Sequence, residues 1–117
     1  MLGNALLCIW ICLIRVLSMD IDLISKALAN PTRRQILAWL KNPQQYLCEE
    51  QCGGFSRGVC AGNIEKLGKV SQSTMSNHLS VLQQSGLIQA EKYGQWSYFS
   101  RNEALIQQYI EHLQQAL

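Results

Sequence analysis

Apolar residues recur every three or four positions between residues 20 and 29, a spacing typical of an amphipathic helix. A second helix is predicted directly after it. Asn30 is a suitable N-cap, and Pro31 fits the first helical position, where a missing N–H costs nothing. Asn42-Pro43 ends this helix, because proline disfavours helical backbone in the residue before it. Its apolar residues are Ile36, Leu37, Trp39 and Leu40.

The middle of the chain predicts a polar loop and then two short helices joined by a turn. The loop covers residues 43–58, and helical periodicity returns from Gly58 to Gly68. Ser71 is the expected N-cap of the next helix, which ends at Gly86. The apolar residues Met75, Leu79 and Leu82 define its buried face.

Two extended segments, residues 87–92 and 95–100, flank Tyr93-Gly94 and predict a β-hairpin. Its aromatic residues Trp96, Tyr98 and Phe99 are expected to form the core of the hairpin. The last helix is predicted over residues 102–117, and its apolar stripe is too wide for an exposed helix. That stripe consists of Leu105, Ile106, Tyr109, Ile110, Leu113 and Leu117. The order of elements predicts a mainly α fold with a β-hairpin wing (α+β), the winged helix-turn-helix.

Composition supports one folded domain and excludes several classes of protein. The chain has 117 residues, 48% hydrophobic and 15% charged, so wholesale disorder is excluded. A net charge of +2 is too small to indicate nucleic-acid binding by itself. Residues 57–101, however, hold five basic and two acidic residues, a local net charge of +3 that favours contact with phosphates.

Residues 1–18 differ from the remainder, residues 19–117, which is predicted as one winged helix-turn-helix domain. The apolar run from Ala5 to Ile14 is shorter than the roughly 20 residues of a bilayer-spanning helix. It also lacks the features of a secretory signal. Our first interpretation is a start codon assigned too early, since Met19 precedes the first amphipathic helix. An extra helix in a dimer interface is the second, and a membrane anchor the third.

The helix after the turn carries the residues suited to reading DNA. In a helix-turn-helix the second helix enters the major groove with its N-terminal residues at the base edges. Gln72 is the leading base reader because its amide can pair bidentately with adenine, and Asn77 is another candidate. Phosphate or mixed contacts are expected from Ser71, Ser73, Thr74, Ser76, His78 and Lys69. The alternative reading is a well-capped surface helix with no ligand.

Two segments resemble the ArsR/SmtB-type bacterial repressors. Residues 27–37, Ala-Leu-Ala-Asn-Pro-Thr-Arg-Arg-Gln-Ile-Leu, resemble the opening signature of that family, and residues 70–88 resemble its recognition helix and exit into the wing. The resemblance covers about residues 20–115. It implies a homodimeric transcriptional regulator, usually a repressor that releases an inverted-repeat operator in double-stranded DNA when it binds an inducer.

The resemblance also assigns the dimer interface and the wing. Dimer contacts would come from the first and last helices, in agreement with the wide apolar stripe at Leu105, Ile106, Tyr109, Ile110 and Leu113. At the wing tip, Gln95 stands where the family often carries a basic residue, which leaves Lys92 as the expected phosphate partner.

Thiols are the candidate sensors of the inducer. Cys60 matches the first position of the Cys-x-Cys box of metal-sensing family members, whereas Gly62 occupies the second. Cys48, Cys52 and Cys60 form a different cluster that could hold a soft metal or metalloid ion. The same thiols could form a reversible disulfide, or they could be incidental reduced cysteines. No cofactor is firmly implied beyond such an inducer ion.

Three classes of function therefore remain after the sequence is read. The first is a DNA-binding repressor with thiol-based induction, and the second is a regulator whose input does not involve these cysteines. The third is a winged-helix module that binds only proteins. An enzyme is not expected, because His78 and His112 lack an adjacent nucleophile and no phosphate loop is present. We expect a cytoplasmic protein with no membrane partner.

Overall fold

The structure is a computed structural model that describes residues 19–47 and 54–117. The predictions for residues 1–18 and for Cys48 and Cys52 lie outside the described residues. Two helices open the described part: α1 covers Ile21–Leu28 and α2 covers Pro31–Lys41, followed by a single 3₁₀ turn at Pro43–Gln45.

The caps of α1 and α2 explain their boundaries. The Asp20 carboxylate accepts a hydrogen bond from the Leu23 N–H at 3.1 Å. The Asn30 side chain accepts from the N–H groups of Thr32 and Arg33 at 2.8 and 3.2 Å. Each cap satisfies backbone donors that have no partner within the helix. The predicted N-cap at Asn30 is confirmed.

The helix-turn-helix consists of α3, Ala61–Leu67, and α4, Gln72–Ser85. The predicted limits of α4 are confirmed. Ser71 caps its start, and Gly86 ends it in the left-handed conformation, with φ of 87°. The predicted start of α3 at Gly58 is wrong, because Val59–Cys60 form a short strand, β1. Val59 and Cys60 pair with Phe99 and Tyr98 of the hairpin, and this ladder takes them out of the helix.

The hairpin consists of β2, Ile88–Tyr93, and β3, Trp96–Arg101. Tyr93 pairs with Trp96, so the connecting turn is Gly94-Gln95, one residue later than predicted. The sheet is antiparallel throughout, in the order β1-β3-β2. Trp96 is 55% exposed, so the expectation that it belongs to the hairpin core is wrong. Phe99 is buried as expected, and Tyr98 is half-buried.

Gly58 sets the approach of β1 to β3. Its φ is +103°, and a Cβ at this position would lie 2.5 Å from the carbonyl oxygen of Phe99. Only glycine fits both this backbone conformation and this spacing. The chain can therefore turn into the sheet immediately before α3.

The core lies between the helices and one face of the sheet. Its fully buried side chains are Ile24, Ile36, Val59, Ile64, Met75, Leu82 and Leu87. The last helix, α5, covers Glu103–Ala116. Asn102 is its N-cap, and the Asn102 side chain accepts a hydrogen bond from the Leu105 N–H. Tyr109 is the one buried residue of α5, and its hydroxyl forms a 2.8 Å hydrogen bond with Ser25 of α1.

Candidate nucleic-acid interface

The N-terminal half of α4 presents a polar surface opposite its apolar face. Met75 and Leu79 are buried, because their spacing of four residues places them both against the core. The predicted contacts are exposed on the other sides of the helix: Ser71, Gln72, Ser73, Thr74, Ser76 and Asn77. Each of these side chains is therefore accessible to a ligand.

Hydroxyl groups at the start of α4 form a small network. Ser71 Oγ accepts from the Thr74 N–H at 3.2 Å and donates to Thr74 Oγ1 at 2.8 Å. Ser71 is thus engaged in capping, as the alternative reading required. Its donation leaves the Thr74 hydroxyl proton free to point toward a phosphate oxygen, since a hydroxyl both accepts and donates.

His78 lies one turn after Thr74 and is half-buried. Its Nδ1 is 3.4 Å from Nη1 of Arg33, which belongs to the first turn of α2. Burial lowers the pKa of His78 below its usual value of 6.5, and the positive charge of Arg33 lowers it further. Both effects disfavour the protonated imidazole.

Basic residues flank α4 on the turn and on the wing. Lys69 and Lys92 are exposed at the predicted positions. Arg101 is engaged within the fold, because it forms an ion pair with Glu103 at 2.8 Å and a hydrogen bond with the Leu37 carbonyl. It adds little to the positive surface that the local charge count indicated.

A further cation, Arg57, lies against the wing although it comes from a distant part of the sequence. The Arg57 guanidinium lies 4.3 Å from the centre of the Tyr93 ring, a cation–π distance. Tyr93 donates a 2.8 Å hydrogen bond to Glu91, which raises the pKa of its hydroxyl. No local pattern could reveal this contact, because Arg57 comes from the loop before β1.

The predicted dimer residues lie along α5, but they are not equally available to a partner. Tyr109 is already buried within the protomer and leaves little surface to share. Leu105, Ile106 and Leu113 are half-buried, whereas Ile110 is 42% exposed. An apolar strip therefore remains on the outer side of α5.

Cys60 is the one candidate thiol among the described residues. It is half-buried at the end of β1, where the chain enters α3. It borders a cleft of about 210 Å³ together with Trp96 and Tyr98. Within the described residues, no group of three Cys, His, Asp or Glu side chains could hold a metal ion. Cys48 and Cys52 lie outside them.

None of the helices within residues 19–47 and 54–117 combines the length and apolar character needed to cross a membrane. A two-helix unit with an exposed polar second helix, followed by a hairpin wing, defines the class of winged helix-turn-helix proteins, whose second helix commonly enters the major groove of DNA.

Comparison with known proteins agrees with this class. No protein-family model matches the chain. The chain is 40% identical over 82 residues to the HTH-type transcriptional regulator YbzH of Bacillus subtilis (strain 168), covering 69% of this chain and 82% of YbzH. It is 34% identical to the transcriptional repressor SdpR of the same strain, covering 73% of this chain and 79% of SdpR. An ArsR-like transcriptional regulator from Rhodococcus sp. RHA1 superposes with a TM-score of 0.63 at 21% identity, covering 82% of this chain and 77% of that one.

The chain is also 33% identical over 75 residues to the putative arsenical resistance operon repressor ArsR2 of Halobacterium salinarum, covering 64% of this chain and 63% of ArsR2. Together with the helix-turn-helix regulators above, this relative shows that the chain belongs to the ArsR family of transcriptional regulators, and the ArsR-like structure shows the same fold. This confirms the family expected from the two sequence segments and the predicted fold class. The role of each candidate residue in DNA binding remains a prediction.

Proposed function

We propose that this regulator is a homodimeric repressor that binds an inverted-repeat operator through α4 and leaves it when cysteine thiols bind or react with an inducer. The observation that carries DNA recognition is the exposed polar surface at the start of α4. Gln72 lies in its first turn, where the side chain of a recognition helix reaches base edges. Lys69 and Lys92 stand on either side of α4 in sequence and supply charge for the DNA backbone.

Fluorescence anisotropy on DNA from upstream of the gene tests this recognition. Binding should weaken steeply with salt, because neutralising phosphates releases counterions. Gln72→Ala should cost about 1–3 kcal/mol and relax specificity at one base pair. Gln84→Ala is the matched control, since Gln84 is an exposed glutamine at the other end of α4. Uniform weakening across all sequences would exclude Gln72 as a base reader.

The proposed dimer predicts the symmetry and the half-site spacing of the operator. Two copies related by a two-fold axis would place their α4 helices in successive major grooves, so the half-sites should lie about 34–36 Å apart or a multiple of that. The apolar strip on α5, with Ile110 at its centre, supports a self-association surface. Footprinting that protects a single half-site would contradict this arrangement.

Thiol sensing is supported by the place of Cys60 at the entry to the helix-turn-helix. A soft ion bound by thiolates there would act directly on the start of α3. Alternatively, two thiols would lose two electrons and two protons to an oxidant and form a disulfide. Cys48 and Cys52, outside the described residues, are the proposed partners of Cys60.

Induction can be tested on the same DNA complex with arsenite and with a mild oxidant. We expect one of them to release the DNA, and Cys48→Ser, Cys52→Ser or Cys60→Ser to abolish that release. Release that persists in all three variants would show that the inducer does not act through these thiols. The absence of salt-dependent binding to any DNA would instead favour a protein-interaction module.

A further inference from the structure

Arg33 joins three helices through its guanidinium group. Its Nε donates to the carbonyl oxygen of Ala27 at 2.7 Å, and its Nη2 donates to that of Lys26 at 2.9 Å. These carbonyls belong to the last turn of α1, where the Lys26 carbonyl also accepts from the Ala29 N–H at 3.2 Å. A positive charge at a helix C-terminus is also favourable to the helix dipole. Arg33 therefore binds the end of α1 to the start of α2.

The third nitrogen of the Arg33 guanidinium group faces α4. Nη1 of Arg33 lies 3.4 Å from Nδ1 of His78 in α4. A guanidinium has only N–H donors, so Nδ1 must be the acceptor and must carry no proton. The neutral ring then carries its proton on Nε2. The contact thus selects one tautomer of His78, although the two residues are 45 positions apart.

The selected tautomer bears on the surface that would meet DNA. His78 lies one turn beyond Thr74 on the same side of α4, and Thr74 lies one turn from its cap Ser71. An Nε2–H donor would extend this row of hydroxyl groups along the helix. Phosphate oxygens accept hydrogen bonds from such neutral donors, and these contacts fix the orientation of the protein on the duplex.

We propose that Arg33 is a positioning residue for DNA binding: it ties α4 to the end of α1 and fixes His78 in the tautomer whose Nε2–H donates to an operator phosphate. This inference rests on the proposed function, because it requires that α4 meets DNA. Arg33 itself uses three nitrogens within the fold and acts through His78 rather than by touching the DNA.

Arg34 provides a matched control for the positioning role. It also lies in the first turn of α2, and its Nη1 donates to the carbonyl oxygen of Leu28 in the last residue of α1 at 2.7 Å. Each variant therefore removes one positive charge, and Arg33→Gln removes two hydrogen bonds to the end of α1 where Arg34→Gln removes one. Only Arg33→Gln removes a contact with α4.

The test measures operator affinity by anisotropy for both variants, at a temperature where circular dichroism shows that each remains folded. Arg33→Gln should weaken binding about tenfold or more, as expected for the loss of a hydrogen bond to a charged group. Arg34→Gln should weaken it only about threefold or less, as expected for one rim charge. Equal losses in the two variants would reduce Arg33 to a cap of α1 and overturn the inference.

Two further measurements separate positioning from a general loss of structure. Nitrogen-15 NMR of His78 in the free protein should show Nε2 protonated and Nδ1 unprotonated, and Arg33→Gln should give a mixture of tautomers. In a double-mutant cycle, Arg33→Gln should cost little affinity once His78 is already alanine. Full additivity, or a wild-type ring with its proton on Nδ1, would contradict the inference. If the wild type binds no DNA, the proposed function fails, while the NMR result still decides the contact.

Discussion

Ile110→Ala should weaken self-association by an amount that follows from its exposure. Ile110 retains 42% of its surface exposed in the protomer. Complete burial of an isoleucine side chain contributes about 1.5–3 kcal/mol, so covering that 42% would contribute about 0.6–1.3 kcal/mol per protomer and twice that per symmetric dimer. Alanine keeps only Cβ, so the free energy of dimerisation should become less favourable by about 1–2 kcal/mol. This change raises the dimer dissociation constant roughly five- to thirtyfold.

Sedimentation equilibrium without DNA measures this dissociation constant directly. Val70→Ala is the matched control, because Val70 is 40% exposed at the turn before α4, away from the α5 surface. Ile110→Lys should dissociate the dimer further, since a buried, unpaired charge is costly. The melting temperature at the lowest protein concentration should change little, because Ile110 contributes little to the protomer core. A dissociation constant unchanged by Ile110→Ala, or raised equally by Val70→Ala, would refute a dimer formed through α5.

Three other predictions concern the wing, the sheet and the imidazole of His78. Lys92→Ala should weaken DNA binding evenly across sequences and reduce the salt slope by about one, and an unchanged slope would remove Lys92 from the contacts. Gly58→Ala should lower the free energy of unfolding by more than about 2 kcal/mol, measured with urea, because strained backbone and a clash combine. Gly94→Ala, which has φ of +65° but open space around it, should cost only about 1–2 kcal/mol. His78 has its pKa lowered by burial and by Arg33. As the pH falls below 6.5, His78 therefore binds a proton in the unfolded chain before it does so in the folded protein. The free energy of unfolding, which is highest above that pH, declines as a result. His78→Gln should remove that part of the decline in urea titrations.

Helix boundaries were accessible from the sequence because caps are local. Asn30, Ser71 and Asn102 each accept a hydrogen bond from a backbone N–H two or three residues later. Gly86 takes the left-handed conformation that commonly ends helices. Side chain and backbone partner lie within one turn in every case, so residue type and spacing were enough to predict where the helix begins or ends.

Contacts between distant segments were not accessible in this way. Val59 and Cys60 continue a helical pattern in sequence, but they pair with β3 about 40 positions later. Trp96 looked like a packing residue, yet it lies beside the turn of the hairpin and is 55% exposed. Burial there depends on how far the wing extends from the core, and local propensity carries no such information.

The polar surface of α4 was predicted from residue type, whereas the group that orients it was not. Short polar residues between Ser71 and Asn77 point to bases and phosphates wherever they stand at the start of a recognition helix. In the sequence, Arg33 is recognisable only as one residue of the segment that resembles the ArsR family, and its spacing predicts no contact with α4. Its role depends on three atoms on two other helices, and only the folded chain brings them within hydrogen-bond distance.

The same contacts connect α1 both to α5, the proposed dimer surface, and to α4, the proposed DNA-binding surface. On one side, Ser25 of α1 forms a hydrogen bond with Tyr109 of α5, directly before the exposed Ile110. At its C-terminal end, α1 is held by Arg33, which also contacts His78 of α4. A shift of α5 that moves α1 must therefore either carry α4 with it or break the Arg33 contacts. In the proposed dimer, these side chains would link the dimer geometry to the orientation of α4, so that an inducer could change DNA affinity without touching α4.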